Sequence, residues 1–341
     1  MNGEIKLNRR MLVGALAAST AALSAPAARA EISEVRIAQQ FGLPFLPLIV
    51  ARNRRLIEAR AAAAGIGNLK VNWVRLGGGA AVNDALISGS IDFGTAGLGP
   101  VLTLWDKTRS NLDIRAVLSL DASAVLLNVN RPDLKTLADL KDSDRIALPA
   151  VKVSQQAVLL QMAAEKAFGA GQYARFDKLT VTLPHPEAYV ALLSGKGEIT
   201  GHFGNSPFIY QELDNPKIHT LISSEEILGG LGTVTSVFAA AKTREANPKV
   251  YKAVLDGLRD ALDLIDRDKA LVARIFVEEE KSSLTASYIQ ALIERPSARY
   301  SAAPINSFKF AEFMLRTGAL KNRPASWRDY FFPDIHALPG S

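Results

Sequence analysis

The sequence predicts an α/β protein of two similar lobes with a cleft between them. Residues 71–97 and 179–205 repeat one pattern: a short apolar run, a loop with Gly or Pro, a helical stretch that ends in Ser-Gly, and a second apolar run. Repeated β-loop-α-β units of this kind predict two related lobes. A strand-like segment at residues 234–241 predicts that the chain then returns to the first lobe.

The first lobe is predicted from the segments before residue 128. Alternating apolar residues predict strands, a period near 3.6 predicts helices, and Gly, Pro and Asp mark the loops between them. The expected elements are a strand at 35–38, a helix at 47–64, a strand at 71–76, a helix at 80–88, a strand at 91–94, a helix with Pro100 as its first residue, and strands at 115–120 and 124–129 around a loop at 121–123.

The second lobe is predicted at residues 128–236. Its expected elements are a polar connection with a short helix at 131–140, a strand at 145–149, a helix at 154–168 with Ser154 as N-cap, a strand at 179–183, a helix at 189–194 and a strand at 199–203.

The remaining chain is strongly helical and is expected to complete the first lobe. The predicted helices are 249–267, which follows Asn247-Pro248, and then 269–277, 284–294 and 308–317. The aromatic residues expected in the core are Trp327, Tyr330, Phe331 and Phe332. The first lobe is therefore discontinuous, with residues 31–127 and 237–341. The two crossings between lobes predict a hinge that allows closure on a ligand.

Residues 1–30 have the composition of a cleaved export signal. An arginine pair at 9–10 precedes an apolar run at 11–23, and residues 28–30 have the small-x-small pattern of a cleavage site. The run is too short for a membrane anchor, so we expect a soluble periplasmic protein that begins at Glu31. The paired arginines favour the twin-arginine route, and the Sec route stays open.

Composition and motifs argue against several functions. The chain has no cysteine, which excludes disulfides, thiolate metal sites and cysteine nucleophiles. The formal charge is +6, half of it within the first 30 residues, and no basic run interleaves with aromatic residues, so nucleic-acid binding is not expected. The four histidines form no metal-binding pattern, and no nucleophile or phosphate-loop motif occurs. We therefore expect no metal, no cofactor and no catalysis.

A passive binding site needs only backbone donors, and the sequence predicts three helix starts around the cleft. These helices begin after Gly79, near Ser154 and near Asn205. The first N–H groups of a helix have no partner within it, and the helix dipole favours a negative group there. These loops therefore predict a site for a small, negatively charged molecule.

Several segments also resemble a known family. VRIAQQFG, VNWVRLGGGAAVNDALISGSIDFGTAGLGP and the linker RPDLKTLADLKDSDRIALP are similar to the periplasmic solute-binding proteins of the nitrate, sulfonate and taurine (NitT/TauT) ABC importers, which include aliphatic-sulfonate-binding and thiamine-precursor-related proteins. The resemblance covers the whole processed chain. It implies the type II periplasmic binding protein fold, no catalysis, and delivery of a small ligand to the permease and ATPase of an ABC importer.

By the same resemblance, ligand contacts come from the loops after the first strands and from helix starts and loops in the second lobe. The implied ligand-binding residues are Gln39, Gln40, Phe41, Gly78, Gly79, Ala96, Gly97, Leu98, Lys152, Ser154, Gln155, His202 and Asn205.

Three departures from the family pattern bear on the ligand. Leu98 stands where the family often has an acidic or hydroxyl residue, and Val153 stands where it has a glycine. Asn205-Ser206-Pro207 replaces a frequent Trp-Asp-Pro. Without that acidic residue a ligand with an amino group, such as taurine, is disfavoured. We expect an organic anion, with Lys152 as the nearest cation.

Two other functions stay open at this point. The chain could be a ligand receptor for a signalling partner, or an exported enzyme on the same fold with His185 or His202 as its base. We expect a monomer in each case. The sequence leaves the identity and the charge of the ligand open.

Overall fold

The computed structural model describes residues 31–341, and its strands form the framework of the fold. The predicted export signal lies outside these residues. Within them the strands, in chain order, are β1 (Glu34–Gln39), β2 (Lys70–Arg75), β3 (Gly94–Ala96), β4 (Arg115–Ser123), β5 (Leu126–Val129), β6 (Ile146–Leu148), β7 (Thr180–Thr182), β8 (Gly201–Gly204), β9 (His219–Ser223), β10 (Thr235–Ala239) and β11 (Ala298–Tyr300).

Helices cover the faces of the sheets, and short 3₁₀ turns connect several of them. The α-helices of the described residues are α1 (Leu46–Arg54), α2 (Leu56–Ala63), α3 (Gly79–Ile87), α4 (Leu98–Thr108), α5 (Gln155–Phe168), α6 (His185–Ser194), α7 (Phe208–Leu213), α8 (Ser224–Leu228), α9 (Ala241–Ala246), α10 (Pro248–Arg267), α11 (Lys269–Glu279), α12 (Ala286–Ile293) and α13 (Ser307–Arg316).

The two copies of the sequence repeat occupy equivalent places in two sheets. In one sheet, β6 lies between β7 and β8 and is parallel to both, and β8 pairs antiparallel with β5. On the other side of the molecule, the two-stranded parallel sheet β1-β2 is joined to the four-stranded sheet β11-β4-β10-β3 by an isolated parallel bridge between Ile37 and Phe93, and we call these two sheets together the first sheet. There β3 pairs antiparallel with β10. The units β2-α3-β3 and β7-α6-β8 are therefore counterparts, as the repeat predicts.

The chain passes from one sheet to the other at two points. It leaves β4 and enters β5 through Ala124 and Val125, and it returns between β9 and β10, where β10 pairs with both β3 and β4. The predicted lobe boundaries, at 127/128 and 236/237, fall inside β5 and β10. We propose that the chain divides into lobes at these two crossings.

The segment after the last crossing closes the core of the first sheet. The strongly amphipathic helix α10 buries Val254, Leu258 and Ile265 along one face. The aromatic segment at the C-terminus is buried, with Trp327 and Phe332 at 4% exposure, which confirms its predicted docking. No helix within residues 32–341 is both long enough and apolar enough to span a membrane.

Two predicted elements in the first half of the chain were wrong in detail. The helix at 47–64 is two helices, because Arg55 adopts a left-handed conformation with φ 51° and ends α1. The strand at 91–94 begins only at Gly94. Before Gly94 the chain contacts β1 at Arg36 without forming a regular ladder. The backbone N–H groups of Asp92 and Phe93 both donate to the Arg36 carbonyl oxygen, at 2.9 and 3.1 Å. The Asp92 carboxylate accepts from the Arg36 backbone N–H and guanidinium, at 2.8 and 2.9–3.0 Å.

Two further details also differ. Pro100 is the third residue of α4 and not the first; the first-turn N–H groups of a helix need no intrahelical acceptor, so proline is tolerated there. The loop predicted at 121–123 is part of β4, since β11 pairs with this stretch from far along the sequence. The chain leaves the sheet three residues later than the local pattern suggests.

Asp121 lies at the junction of β4, β10 and β11 and is fully buried. Among the described residues neither of its carboxyl oxygens has a partner at full hydrogen-bond geometry, although Ser123 and Thr235 lie near enough to favour its charged form in part. Burial raises the pKa of this carboxyl to about 8. A carboxyl in the unfolded chain titrates near 4, so between these values the folded protein holds one proton more than the unfolded chain.

We expect the wild-type protein to lose stability as pH rises from about 4 through about 8, because the folded state must then bury a charge. Asp121→Asn keeps the shape and removes the ionisation. Its Tm relative to wild type should therefore rise by several degrees between pH 5 and pH 9 in thermal unfolding. The exposed Asp84→Asn is the matched control and should show no such trend. A constant difference between Asp121→Asn and wild type would contradict this prediction.

Candidate functional site

A small cavity lies where the loops of the two sheets meet. It has a volume of about 30 Å³, which is room for one or two water molecules. It is lined by Gln40, Phe45, Gly79, Gly97, Pro100, Pro149, Ser154, Gln155, Gln156, His185, Asn205, Val234 and Thr235. None of these residues is a lysine, arginine, aspartate or glutamate.

Strand ends account for part of this wall. Gln40, Gly97, Pro149 and Asn205 directly follow β1, β3, β6 and β8. The carboxyl ends of parallel strands form one edge of a sheet, and open α/β sheets bind ligands in the crevice at that edge. The cavity therefore lies at the expected edge of both sheets at once.

Helix starts account for the rest. Gly79 and His185 are the first residues of α3 and α6, and Gly97 and Ser154 are the N-caps of α4 and α5. Each of these helices has at least nine residues, so its aligned peptide dipoles give its start a partial positive charge. Four positive helix ends thus point toward a space without charged side chains.

Direct hydrogen bonds join the two sides of the cavity. The Oε1 atom of Gln155 accepts a bond of 3.1 Å from the backbone N–H of Leu98, and its Nε2 donates a bond of 2.8 Å to the carbonyl oxygen of Thr233. The backbone N–H of Leu43 donates to the carbonyl oxygen of Ser206 at 2.7 Å. The two sets of loops are therefore in contact, as expected for the closed form of a two-lobed fold.

Two glycines allow this close approach. A Cβ on Gly78 would lie 2.4 Å from the carbonyl oxygen of Pro149, and one on Gly99 would lie 2.3 Å from that of Val153. Both distances are far below van der Waals contact and involve backbone atoms, which cannot rotate away. Any side chain at either position would hold the two sides apart.

The structure brings some of the predicted site residues to the cavity wall and leaves others away from it. Those on the wall are Gln40, Gly79, Gly97, Ser154, Gln155 and Asn205; those away from it are Gln39, Phe41, Gly78, Ala96, Leu98, Lys152 and His202. The ligand-binding roles of both groups stay predictions. The geometry favours these roles for the residues on the wall and disfavours them for the residues away from it.

The residues away from the wall have other partners. The side chain of Gln39 exchanges hydrogen bonds with Arg52 and Glu280, at 3.0 and 3.3 Å. The ring of Phe41 lies under the Arg75 guanidinium, 5.2 Å from its centroid. Lys152 is exposed, in a left-handed turn with φ 65°, and does not supply the cavity with a cation.

The remaining four lie next to the cavity wall and contact other groups. Ala96 ends β3, Gly78 lies against Pro149, and Leu98 is bound through its N–H to Gln155. His202 is buried behind His185, which is the residue that reaches the cavity.

Sequence reasoning missed several wall residues, chiefly Phe45, Pro100, Gln156 and His185 as a contact. The repeat contains the signal for one of them: an offset of 106 residues aligns His185 with Gly79, and both begin the helix of their unit.

A buried chain of hydrogen bonds runs from the cavity into the second sheet. The Nδ1 atom of His185 lies 2.8 Å from Nε2 of His202, and Nδ1 of His202 lies 2.5 Å from Oε1 of Glu212. The other oxygen of Glu212 accepts a bond of 2.8 Å from the amide of Asn128. Burial lowers the pKa of His185 well below 6.5, and the neighbouring His202 adds to the effect, so the His185 ring is neutral.

One acceptor at the cavity has no partner. The Nδ2 atom of Asn205 donates a long bond of 3.5 Å to the carbonyl oxygen of Phe41, while its Oδ1 is buried and unpaired among the described residues. A buried acceptor without a donor is unfavourable, so this amide is available to a ligand hydroxyl or N–H group or to water. Within residues 31–341, no cluster of His, Asp or Glu has the arrangement of a metal site.

Comparisons with known proteins place the chain in context. A family model described as the NMT1-like family matches residues 28–276. A search of curated proteins gave no match.

Many solved structures share the fold. The alkanesulfonate-binding protein SsuA from Xanthomonas axonopodis, bound to MOPS, is 23% identical over 86% of this chain and 96% of its own, with a TM-score of 0.67. The aliphatic sulphonate binding protein SsuA from Escherichia coli is 20% identical over 88% of this chain and 92% of its own, with a TM-score of 0.63. The nitrate-binding protein NrtA from Synechocystis is 16% identical over 87% of this chain and 83% of its own, with a TM-score of 0.67. The fold is thus that of the type II periplasmic binding proteins.

The bridging role of Gln155 leads to a prediction. Gln155→Ala removes both of its hydrogen bonds and should destabilise the closed form by about 2 kcal/mol. We expect a larger radius of gyration by small-angle X-ray scattering. Gln161→Ala, on the same helix, removes contacts to Asp177 alone and is the matched control. An unchanged radius of gyration for Gln155→Ala would show that this residue does not hold the two sides together.

Proposed function

Because the chain belongs to the NMT1-like family, we propose that it is a solute-binding protein that closes on one small anion. The observation that supports this most strongly is the convergence of four helix starts on a cavity that has no charged side chain in its wall. Backbone N–H groups and helix dipoles bind anions without a formal counter-charge. The hydrogen bonds across the cavity match a protein whose lobes close around the ligand.

The proposed ligand is a compact oxoanion of the sulfonate or nitrate kind. The proteins named above bind an alkanesulfonate, aliphatic sulphonate and nitrate according to their names. The small volume of the cavity also favours a compact head group. Gln156 and His185 in the wall are further neutral candidates to donate to its oxygens. The amide groups of Gln40, Gln155 and Asn205 already donate to backbone carbonyl oxygens. A taurine-like ligand is disfavoured, because no carboxylate among the wall residues would pair with its amino group.

The expected affinity is reachable with neutral donors. A Kd in the micromolar range corresponds to about −8 kcal/mol. Hydrogen bonds to a charged ligand contribute roughly 1.5–3 kcal/mol each, so four or five of them offset the cost of ordering the ligand and closing the lobes. In the proposed site these donors would be backbone N–H groups at the starts of α3, α5 and α6 together with Gln156 and His185.

We propose that the protein works in the periplasm and delivers its ligand to the permease and ATPase of an ABC importer. The predicted export signal and the family support this role, and we propose that the chain acts as a monomer. The alternative of a signalling receptor would use the same closed form against a different partner. Neighbouring genes for a permease and an ATPase would favour transport.

An enzymatic role is the less favoured alternative. The His185–His202–Glu212 chain resembles an oriented base, and an enzyme of this kind would also need a nucleophile. The serine in the wall, Ser154, instead caps α5, because its hydroxyl oxygen accepts a hydrogen bond from the N–H of Ala157 at 3.2 Å. We therefore propose binding without chemistry. A ligand recovered unchanged after prolonged incubation would agree with this.

The proposal predicts a selective thermal shift. Nitrate, methanesulfonate, taurine, acetate and a neutral pyrimidine are each added to the purified protein, with chloride at equal ionic strength as the control. A small oxoanion should raise the Tm progressively once its concentration exceeds its Kd, and the pyrimidine should not. A shift with the pyrimidine alone, or with none of the compounds after refolding to remove trapped ligand, would contradict the proposed ligand class.

A further inference from the structure

The hydrogen-bond chain behind the cavity has a feature that simple anchoring of a ligand contact does not require. Its inner members, His202, Glu212 and Asn128, have no exposed surface, whereas His185 lines the cavity. The carboxyl group of Glu212 is therefore connected to the ligand site through two imidazole rings in series. Charge buried at this depth is stable only when it is paired and hydrogen-bonded.

The protons in this chain are restricted by valence. An ionised Glu212 only accepts hydrogen bonds, so Nδ1 of His202 must hold a proton. A second proton on Nε2 makes His202 a cation, which then donates to Nδ1 of His185. Neutral His185 must in that case keep its own proton on Nε2. If His202 is neutral, the hydrogen bond between the two rings reverses, and His185 donates through its Nδ1 to Nε2 of His202. The Nε2 atom of His185 then carries no proton and can only accept.

One proton on His202 therefore decides what His185 offers to a ligand. The Nε2 atom of His185 lies 3.4 Å from the amide nitrogen of Gln156, and both residues line the cavity. With His202 charged, this Nε2 is an N–H donor, which an oxoanion prefers. With His202 neutral, it is an acceptor, which opposes an oxoanion and suits the Gln156 amide.

The surroundings leave His202 as the group that takes up the proton. His185 packs against Gln156 of α5, His202 of β8 and Phe208 of α7, whose ring stacks on it at 6.1 Å. Glu187, on the same helix as His185, is exposed. Burial, and to a lesser degree the neighbouring His202, lower the pKa of His185, so a positive charge on this ring is opposed. A second proton on His202 would instead be balanced by Glu212, whose Oε1 lies 2.5 Å from Nδ1.

We propose that the His202–Glu212 pair is a positioning element that makes anion binding depend on a proton. Binding of the oxoanion selects the state in which His202 is protonated and His185 donates through Nε2. Where the free protein has His202 neutral, each bound anion therefore takes up one proton from solution. The affinity then falls by about tenfold for each unit that the pH rises. The inference rests on the proposed function, because it needs an anion in this cavity.

Nitrate and methanesulfonate are suitable probes, because neither gains or loses a proton near neutral pH. The Kd of each is measured by calorimetry between pH 6 and pH 9.5 in amine buffers, which are cations and do not compete for the site. Proton uptake is counted separately with a pH-stat when the anion is mixed with unbuffered protein. We expect weaker binding at high pH, and uptake that approaches one proton per bound anion.

A double variant separates the buried pair from other titrating groups. His202→Gln with Glu212→Gln removes both charges together and keeps neutral hydrogen-bonding groups. It is made in the Asp121→Asn background and compared with that parent, because Asp121 pairs with Thr235 of the cavity wall and would otherwise ionise in the same range. The double variant should bind the anion with an affinity that no longer changes with pH. His219→Gln is the matched control, since His219 bonds to the carbonyl oxygen of Leu134, away from the cavity, and should keep the pH dependence. The ¹⁵N shifts of His185 in the wild-type protein report the tautomer even if the double variant does not fold.

The outcomes distinguish the two proposals. Anion binding by the wild type that does not vary with pH and takes up no proton would overturn this inference and leave the proposed function intact. A proton-bearing Nδ1 on His185 in the nitrate complex would do the same. Failure of both anions to bind at any pH would overturn the inference and the proposed function together.

Discussion

The convergence of helix starts on one space is the constraint on which the rest of the structure depends. Helices α3, α4, α5 and α6 begin at the cavity, and they come from loops of two different sheets. Their N–H groups can act together only if the two sheets approach closely. The absence of a side chain at Gly78 and Gly99 permits that approach, and the hydrogen bonds of Gln155 hold it. Backbone geometry, with no lysine or arginine in the wall, thus makes the site electropositive.

Much of the fold could be predicted from local patterns. The repeat gave two counterpart β-α-β units because each unit needs the same apolar spacing and the same turn to the next strand. Where predictions failed, the deciding contact came from far along the chain. Strand β4 continues through Asp121 because β11 pairs with it from nearly 180 residues later. The break at Arg55 depends on one left-handed residue, which no periodicity reveals.

The positions of the site residues also depend partly on local sequence and partly on contacts from far along the chain. Gln40, Gly97 and Asn205, which the family resemblance implies as ligand contacts, do lie on the cavity wall, because each directly follows a strand at that edge of its sheet. The position of Gln39 could not be predicted in this way, because hydrogen bonds to Arg52 and Glu280 decide where its side chain lies. His185 and His202 look alike in the sequence, and only tertiary structure shows which one reaches the cavity and which one lies behind it.

The most direct test of the central claim is the crystal structure of the protein with bound nitrate or methanesulfonate. The claim predicts that the anion lies in the cavity between the lobes. Its oxygens should accept hydrogen bonds from backbone N–H groups at the starts of α3 and α5 and from Nε2 of His185. An anion held instead by exposed basic side chains such as Lys152, with the cavity unchanged from the structure described here, would contradict it.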